Sequence, residues 1–337
     1  MLLNIISQLP EGFTDLGVTE LHDVLGGPTL IHLRTENSDK KPLYLSTLLH
    51  GNEISSHSVL MQFLKRNQPL NRDLIIFIGN TLAAKEGLRH LPGQVDFNRI
   101  WAEGNQVEHK IARQVKDYAK EFSPYASIDL HNNTGKNPFY ACINSLDQVF
   151  KNLASHFGDH TVFFTEPHNV QSMAFSKICP AVTIEAGLPG ETEGIKAALE
   201  FVETIYHSDS IEFSNDRAKK DIYHTIARFK VDPRAEVDFE DSPFTSSDLS
   251  FVSNLDSRNF EIVRKGARIG YADSLEYLLV ENNKGENITD QFLAIEDQKI
   301  IMKRTFIPSM FTKDIYVMKE DCLGYLMEVM IPLNAQR

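Results

Sequence analysis

The chain has 337 residues, 42% of them hydrophobic, and a formal net charge of −12. That length supports one large domain or two moderate ones, and the acidity argues against a nucleic-acid groove or an anionic-membrane surface as partner. Three cysteines, Cys142, Cys179 and Cys322, are too scattered for a disulfide framework, contain no CxxC pair and fit a reducing compartment.

The N-terminal run MLLNIISQLPEGFTDLG lacks a basic leader and meets proline and acidic residues early, so no signal peptide is expected. No apolar stretch reaches the ~18 residues of a spanning helix. A soluble, cytoplasmic protein is the expectation. No internal repeat or low-complexity tract is evident.

Short apolar runs then alternate with helical patterns. Strands are predicted at Pro42–Leu49, Asp73–Gly79, Ala126–Leu130, Thr161–Thr165 and Ala181–Glu185. Helices are predicted at Ile54–Arg66, Val107–Phe122 and Gly194–Tyr206. Such alternation reads as an α/β sheet covered on both faces. From about Ser208 the texture changes, through the turn-rich DPRAEVDFEDSPFTSSD, to short alternating segments. Those are Asn259–Val263, Ala267–Tyr271, Glu276–Val280, Gln298–Lys303, Ile315–Lys319 and Tyr325–Ile331, read as strands of a smaller domain. The expected division is 1–207, catalytic, and 208–337, β-rich.

Polar groups sit at the ends of several predicted strands. His50 and Glu53 follow the first, His131 follows YASIDL, and Glu185 closes AVTIE. Ligands gather outside the carboxyl ends of open α/β sheets, so these residues can converge. Two imidazoles and a carboxylate suit zinc and leave a fourth position for water. Glu185 could then serve as general base. The same residues also admit a plainer reading, since HxxE recurs by chance and a strand-end histidine is often only hydrogen-bonded.

Four motifs in order, HGNE (50–53), DFNRIW (96–101), DLHNNTG (129–135) and TIEAG (183–187), resemble the succinylglutamate desuccinylase/aspartoacylase family of zinc-carboxypeptidase-like hydrolases. The resemblance implies a three-layer α/β/α sandwich with a mixed sheet and a C-terminal β domain. It implies one zinc ion per chain held by His50, Glu53 and His131, with Glu185 as base and proton shuttle. Asn98 and Arg99 match the pair that grips the substrate carboxylate, for which a planar guanidinium fork is suited. Arg89, ten residues before Arg99, matches an arginine that stabilises the oxyanion. Asp129 should share a face with His131 and orient it, or touch the metal directly. Tyr316, in FIPSMFTKDIYVMKE, matches a tyrosine that reaches over the substrate.

One departure is plain. Aspartoacylases carry another arginine about ten residues before the catalytic glutamate, on the resemblance's own terms, whereas no arginine lies between Lys151 and Glu185 here. Lys177 is the only nearby cation and cannot offer a bidentate fork. His57 lies on the apolar stripe of Ile54, Met61 and Leu64 and reads as a half-buried, satisfied histidine. His90, His109, His156, His160 and His168 show no ligand spacing.

The expected function is a zinc-dependent amidohydrolase releasing the acyl group of an N-acyl amino acid or related small carboxylate. Its partner is that small substrate, with no nucleic acid and no membrane, and a homo-oligomer is left open. The alternatives are a zinc carboxypeptidase on short peptides and a non-catalytic metal-dependent binding protein. A pure binder has no need of Glu185.

Overall fold

Short aliphatic runs buried on both faces form the first sheet. The computed structural model describes residues 3–35, 39–66, 69–212, 221–243 and 246–330. Its chain divides into two compact units, Met1–Asn132 with Phe139–Lys220, and Asn133–Pro138 with Asp221–Arg337. The sequence reading put the division at 207/208 and gave no sign that residues 133–138 belong with the second unit.

The strands of the first unit are β1 (Asn4–Ile6), β2 (Thr29–Leu33), β3 (Leu43–Thr47), β4 (Leu74–Ile78), β5 (Ala126–His131), β6 (Tyr140–Ile143), β7 (His160–Phe163) and β8 (Ala181–Glu185). Their spatial order is β1-β2-β4-β3-β5-β8-β6-β7. The central four, β4, β3, β5 and β8, are parallel. β2 runs antiparallel to β4 and β6 antiparallel to β8, so the sheet is mixed. Each central strand is buried along its whole length, as two covered faces require.

The chain leaves β3 through the helix Ser55–Arg66 to reach β4 on one side, then returns through Val107–Phe122 to β5 on the other. Right-handed crossovers in opposite directions put those helices on opposite faces. One face carries His32 against Tyr118 and Tyr44 against Phe175, with ring centroids 5.7 and 4.2 Å apart. On the other, Phe63 of Ser55–Arg66 meets Tyr206 of Thr192–His207 edge-on at 5.0 Å. The result is the expected α/β/α layering. The direction of winding reverses at β3, and crevices at such switch points collect ligands.

The second unit contains β9 (Asp221–Val231), β10 (Val237–Asp238), β11 (Leu249–Phe251), β12 (Arg268–Tyr271), β13 (Leu278–Asn282), β14 (Leu293–Glu296), β15 (Lys299–Met302), β16 (Ile307–Ser309) and β17 (Gly324–Val329). β13, β9, β17 and β16 pair antiparallel in that order, and β10-β11-β12-β15-β14 make a separate sheet. Phe229, Phe251, Val280, Phe292 and Phe311 are among the residues of its own core. Within this unit Asn259 binds the backbone of Phe311 in both directions, at 2.8 and 2.9 Å, and donates to the Lys136 carbonyl at 3.2 Å. Thr312 Oγ donates to the Thr134 carbonyl, and Met310 N donates to Asn137 Oδ1.

Two sequence expectations fail here. Ile315–Lys319 is a helix, Ile315–Glu320, because Asp314 caps it by accepting from Val317 N at 3.1 Å. Asn259–Val263 forms no strand; only Val263 bridges, to Phe306. The predicted strand Tyr325–Ile331 appears as β17, and Ile331 lies outside the described residues. No helix among the described residues is long and apolar enough to cross a membrane.

Candidate functional site

HGNE begins three residues beyond β3. Leu48, the first residue after the strand, takes a left-handed conformation (φ 54°), an uncommon one for leucine. Gly51 is required by space rather than by dihedral angle. A Cβ there would lie 2.3 Å from Ala84 N and 2.6 Å from the Leu88 carbonyl. Its own N–H donates to the Arg89 carbonyl at 3.0 Å. The tight turn therefore seats His50 and Glu53 directly against the segment that carries Arg89.

Strand register supplies the rest. Asp129 lies opposite Ser46 on β3, and His131 lies opposite Glu185 on β8. Residues paired across parallel strands share a face, as do i and i+2 along a strand. Ser46, Asp129, His131 and Glu185 thus project to one side near the carboxyl edge.

Glu53 sits between the two imidazoles. His50 Nδ1 is 2.6 Å from its Oε1, and His131 Nδ1 is 2.8 Å from its Oε2. One ligand atom from each of the three residues lies within 4.8 Å of the others, and all three residues are buried. The far nitrogens are held by carboxylates: His50 Nε2 faces Asp96 Oδ1 at 3.1 Å, and His131 Nε2 faces Asp129 Oδ2 at 2.9 Å. A proton on each Nε2 turns both Nδ1 lone pairs toward the Glu53 carboxylate. Such a cluster holds together only with protons or a cation among its donors.

The electrostatics agree. Burial alone would lower the His131 pKa, but Asp129 and Glu53 outweigh it and raise it well above the usual imidazole range. Burial would raise Glu53, and His50 with His131 reverse that and lower it. Nitrogen and carboxylate donors in this mixture, each braced from behind, fit zinc.

Glu185 is of a different kind. Burial pushes its pKa up to about 8 against the pull of His131, with the Glu53 and Asp129 carboxylates adding to the rise and Arg89 opposing it. Its Oε2 is buried without a hydrogen-bond partner among the described residues. Beside three donors that could hold a metal ion stands a buried carboxyl group whose proton affinity is raised toward neutral pH.

Arg89 donates through Nε and Nη2 to Asp96 Oδ2 at 3.1 and 3.0 Å. Asn98 N donates to Asp96 Oδ1 at 2.6 Å, so this one carboxylate joins His50, Arg89 and the Asn98–Arg99 turn. Burial opposes its ionisation, but His50 and Arg89 hold Asp96 well below the usual carboxylate range. Asn98 Oδ1 accepts from Gln171 N at 3.0 Å, which leaves Nδ2 as its donor end. Arg99, half-buried, places Nη1 3.0 Å from the Asn98 carbonyl. Tyr316 lies on a short helix of the second unit with its side chain exposed.

Sequence reasoning missed two participants that its own motifs contained, the part-buried Asp96 and the buried Asn132. Asp96 opens DFNRIW. Asn132 follows His131, donates its N–H to Glu53 Oε2 at 3.2 Å, accepts from Ser55 N, and donates Nδ2 to the Gly187 carbonyl at 3.1 Å. An acid and an amide embedded among expected site residues were the available signals.

Comparison with known proteins fits this picture. No curated protein matches the chain by sequence. Among solved structures, a succinylglutamate desuccinylase from Chromobacterium violaceum is similar at 16% identity, over 90% of this chain and 88% of that one, with a TM-score of 0.59. A succinylglutamate desuccinylase/aspartoacylase from Rhodobacter sphaeroides is similar at 14% identity over 89% and 88%, with a TM-score of 0.60. Murine aminoacylase 3 is similar at 15% identity over 88% and 97%, with a TM-score of 0.53. At such identities these likenesses show the fold. The sequence pattern of the succinylglutamate desuccinylase/aspartoacylase catalytic domain matches residues 39–208, half of the chain. On that match, the chain belongs to the succinylglutamate desuccinylase/aspartoacylase family.

Proposed function

We propose that the protein is a zinc-dependent hydrolase that cleaves the amide bond of an N-acyl amino acid or a related small carboxylate. The observation that carries this reading is the pairing of Glu185 with His131 across β5 and β8, beside the converging donors of His50, Glu53 and His131. Zinc, when bound there, supplies a Lewis acid that polarises a carbonyl and makes water acidic near neutral pH.

The chain's own residues do the rest. Arg99 and the Nδ2 end of Asn98 hold the substrate carboxylate, which fixes the scissile amide. Arg89, kept in place by Asp96, offers positive charge where the oxyanion develops. Glu185 takes a proton from the attacking water at Oε2 and delivers it to the departing amine. Asp129 and Asp96 keep each histidine in the tautomer that points Nδ1 inward. The reading draws on the first unit alone, and Tyr316 has no part in it.

Initial rates on a panel of N-acetyl and N-succinyl amino acids, set against short peptides, test the proposal alongside elemental analysis for zinc. Acyl amino acids should be the better substrates. Glu185→Gln should keep its zinc and lose roughly 10²- to 10⁴-fold in kcat. Stoichiometric zinc with no turnover across the panel would instead mark a binding protein.

A further inference from the structure

Behind the ligand His131 runs a buried polar chain that no motif announces. Asp129 presents Oδ2 to His131 Nε2 at 2.9 Å, and its other oxygen, Oδ1, accepts from Ser46 Oγ at 2.6 Å. Ser46 Oγ in turn accepts from Gln171 Nε2 at 2.7 Å. Ser46, Asp129 and Gln171 are each 0% exposed. The sense of donation is fixed along the whole line. An amide N–H can only donate, so the serine oxygen accepts and its one proton goes to Asp129. With Ser46 on Oδ1, Asp129 turns Oδ2 to the imidazole.

Gln171 has a second attachment. Its backbone N–H donates to Asn98 Oδ1 at 3.0 Å. One residue therefore anchors both the amide that faces the substrate carboxylate and, through two further groups, the imidazole at the metal cluster. Gln171 opens the helix Gln171–Phe175, whose Phe175 ring lies 4.2 Å from that of Tyr44, so the anchor rests on a packed element.

We infer that Ser46 and Gln171 are positioning residues, forming with Asp129 a relay that fixes the tautomer and orientation of His131. This rests on the metal-site reading above and extends it to two residues outside every motif. Removing the serine hydroxyl leaves both the Gln171 amide and the Asp129 carboxylate buried and short of a partner, which loosens the carboxylate behind the ligand.

Zinc affinity measured by chelator competition, with the visible spectrum of the cobalt-loaded protein, tests this without reference to turnover. Ser46→Ala should bind zinc about tenfold more weakly, near the low end for groups behind a metal ligand, and should shift the cobalt bands. Ser46→Thr, which restores the hydroxyl, should recover most of the loss. Gln171→Leu should weaken binding to a similar degree, and the double variant should be no weaker than the worse single one, since the groups act in series. Unchanged zinc affinity and cobalt bands in a folded Ser46→Ala protein would overturn the relay. So would losses that simply add in the double variant. Should Gln171→Leu fail to fold, the Ser46→Ala and Ser46→Thr pair decides alone. A wild-type chain that takes up no zinc would overturn the metal site itself and the relay with it, an outcome distinct from wild-type uptake with unaffected variants.

Discussion

At the scale of single residues, Asp96 is a heavily used carboxylate among the described residues of the first unit. It receives His50, the Arg89 fork and the Asn98 N–H together. Asp96→Ala should therefore weaken zinc binding 10- to 100-fold, as read by chelator competition, and should also release Arg89 from its position. Nothing in spacing alone singles out Asp96, because its role arises from a turn that brings it to a histidine 46 positions earlier. His57 shows the opposite case. The apolar stripe marked it as a half-buried, satisfied histidine, whereas it is 7% exposed and its Nε2 has no hydrogen-bond partner among the described residues. Burial lowers its pKa to about 4, with a bond to the Leu16 backbone resisting the fall. A histidine depressed on folding binds its proton more weakly in the native state than in the unfolded chain. Its neutral form is stable above the unfolded value of about 6.5, and stability drains away as pH falls from there toward 4. The loss amounts to about 3 kcal/mol over that window. Urea midpoints of wild type should drop more steeply between pH 6.5 and 4.5 than those of His57→Gln.

At the scale of elements, the strands with unbroken apolar runs and the long amphipathic helices were legible, and so were the site residues at strand ends. LYLST, LIIFI and AVTIE can be read because a strand covered on both faces has no polar side to confuse the pattern. The C-terminal region was harder. β9 was missed although its alternation is regular, with Tyr223, Thr225, Ala227, Phe229 and Val231 inward, because the turn-rich segment after it set the expectation for its neighbourhood. Ile315–Glu320 looks strand-like until the Asp314 cap is weighed. Ser46 and Gln171 were illegible altogether, since a serine inside a strand and a glutamine at a helix start carry no local signature. The turn at HGNE offers a sharper test. Because the atoms nearest a Cβ on Gly51 belong to backbone, no side chain can swing aside. Gly51→Ala should cost about 1–3 kcal/mol in urea unfolding and should weaken zinc binding, since His50 and Glu53 flank the displaced residue.

At the scale of the whole molecule, the two units are not consecutive blocks of sequence. The hexapeptide Asn133–Pro138 belongs to the second unit although both its neighbours belong to the first. Asn259 is one of its fasteners, holding the Lys136 carbonyl as well as Phe311, alongside Thr312 at Thr134 and Met310 at Asn137. Gly135 fits only because it lacks a side chain, since a Cβ there would lie 2.2 Å from the Phe311 carbonyl. Asn259→Ala should leave the Lys136–Asn137 bond open to trypsin, which cuts after lysine. Limited proteolysis should show a new cleavage there that wild type resists, while an equal pattern in both proteins would mean the hexapeptide is held by other means.

That splice limits how such a chain could be rearranged. His131 stands two residues before the hexapeptide, so the strand that carries this candidate ligand passes directly into residues that group with the second unit. A transplant of the C-terminal third between relatives, cut at a single point near residue 220, would strand six residues among mismatched neighbours. Successful chimeras would have to exchange both pieces at once.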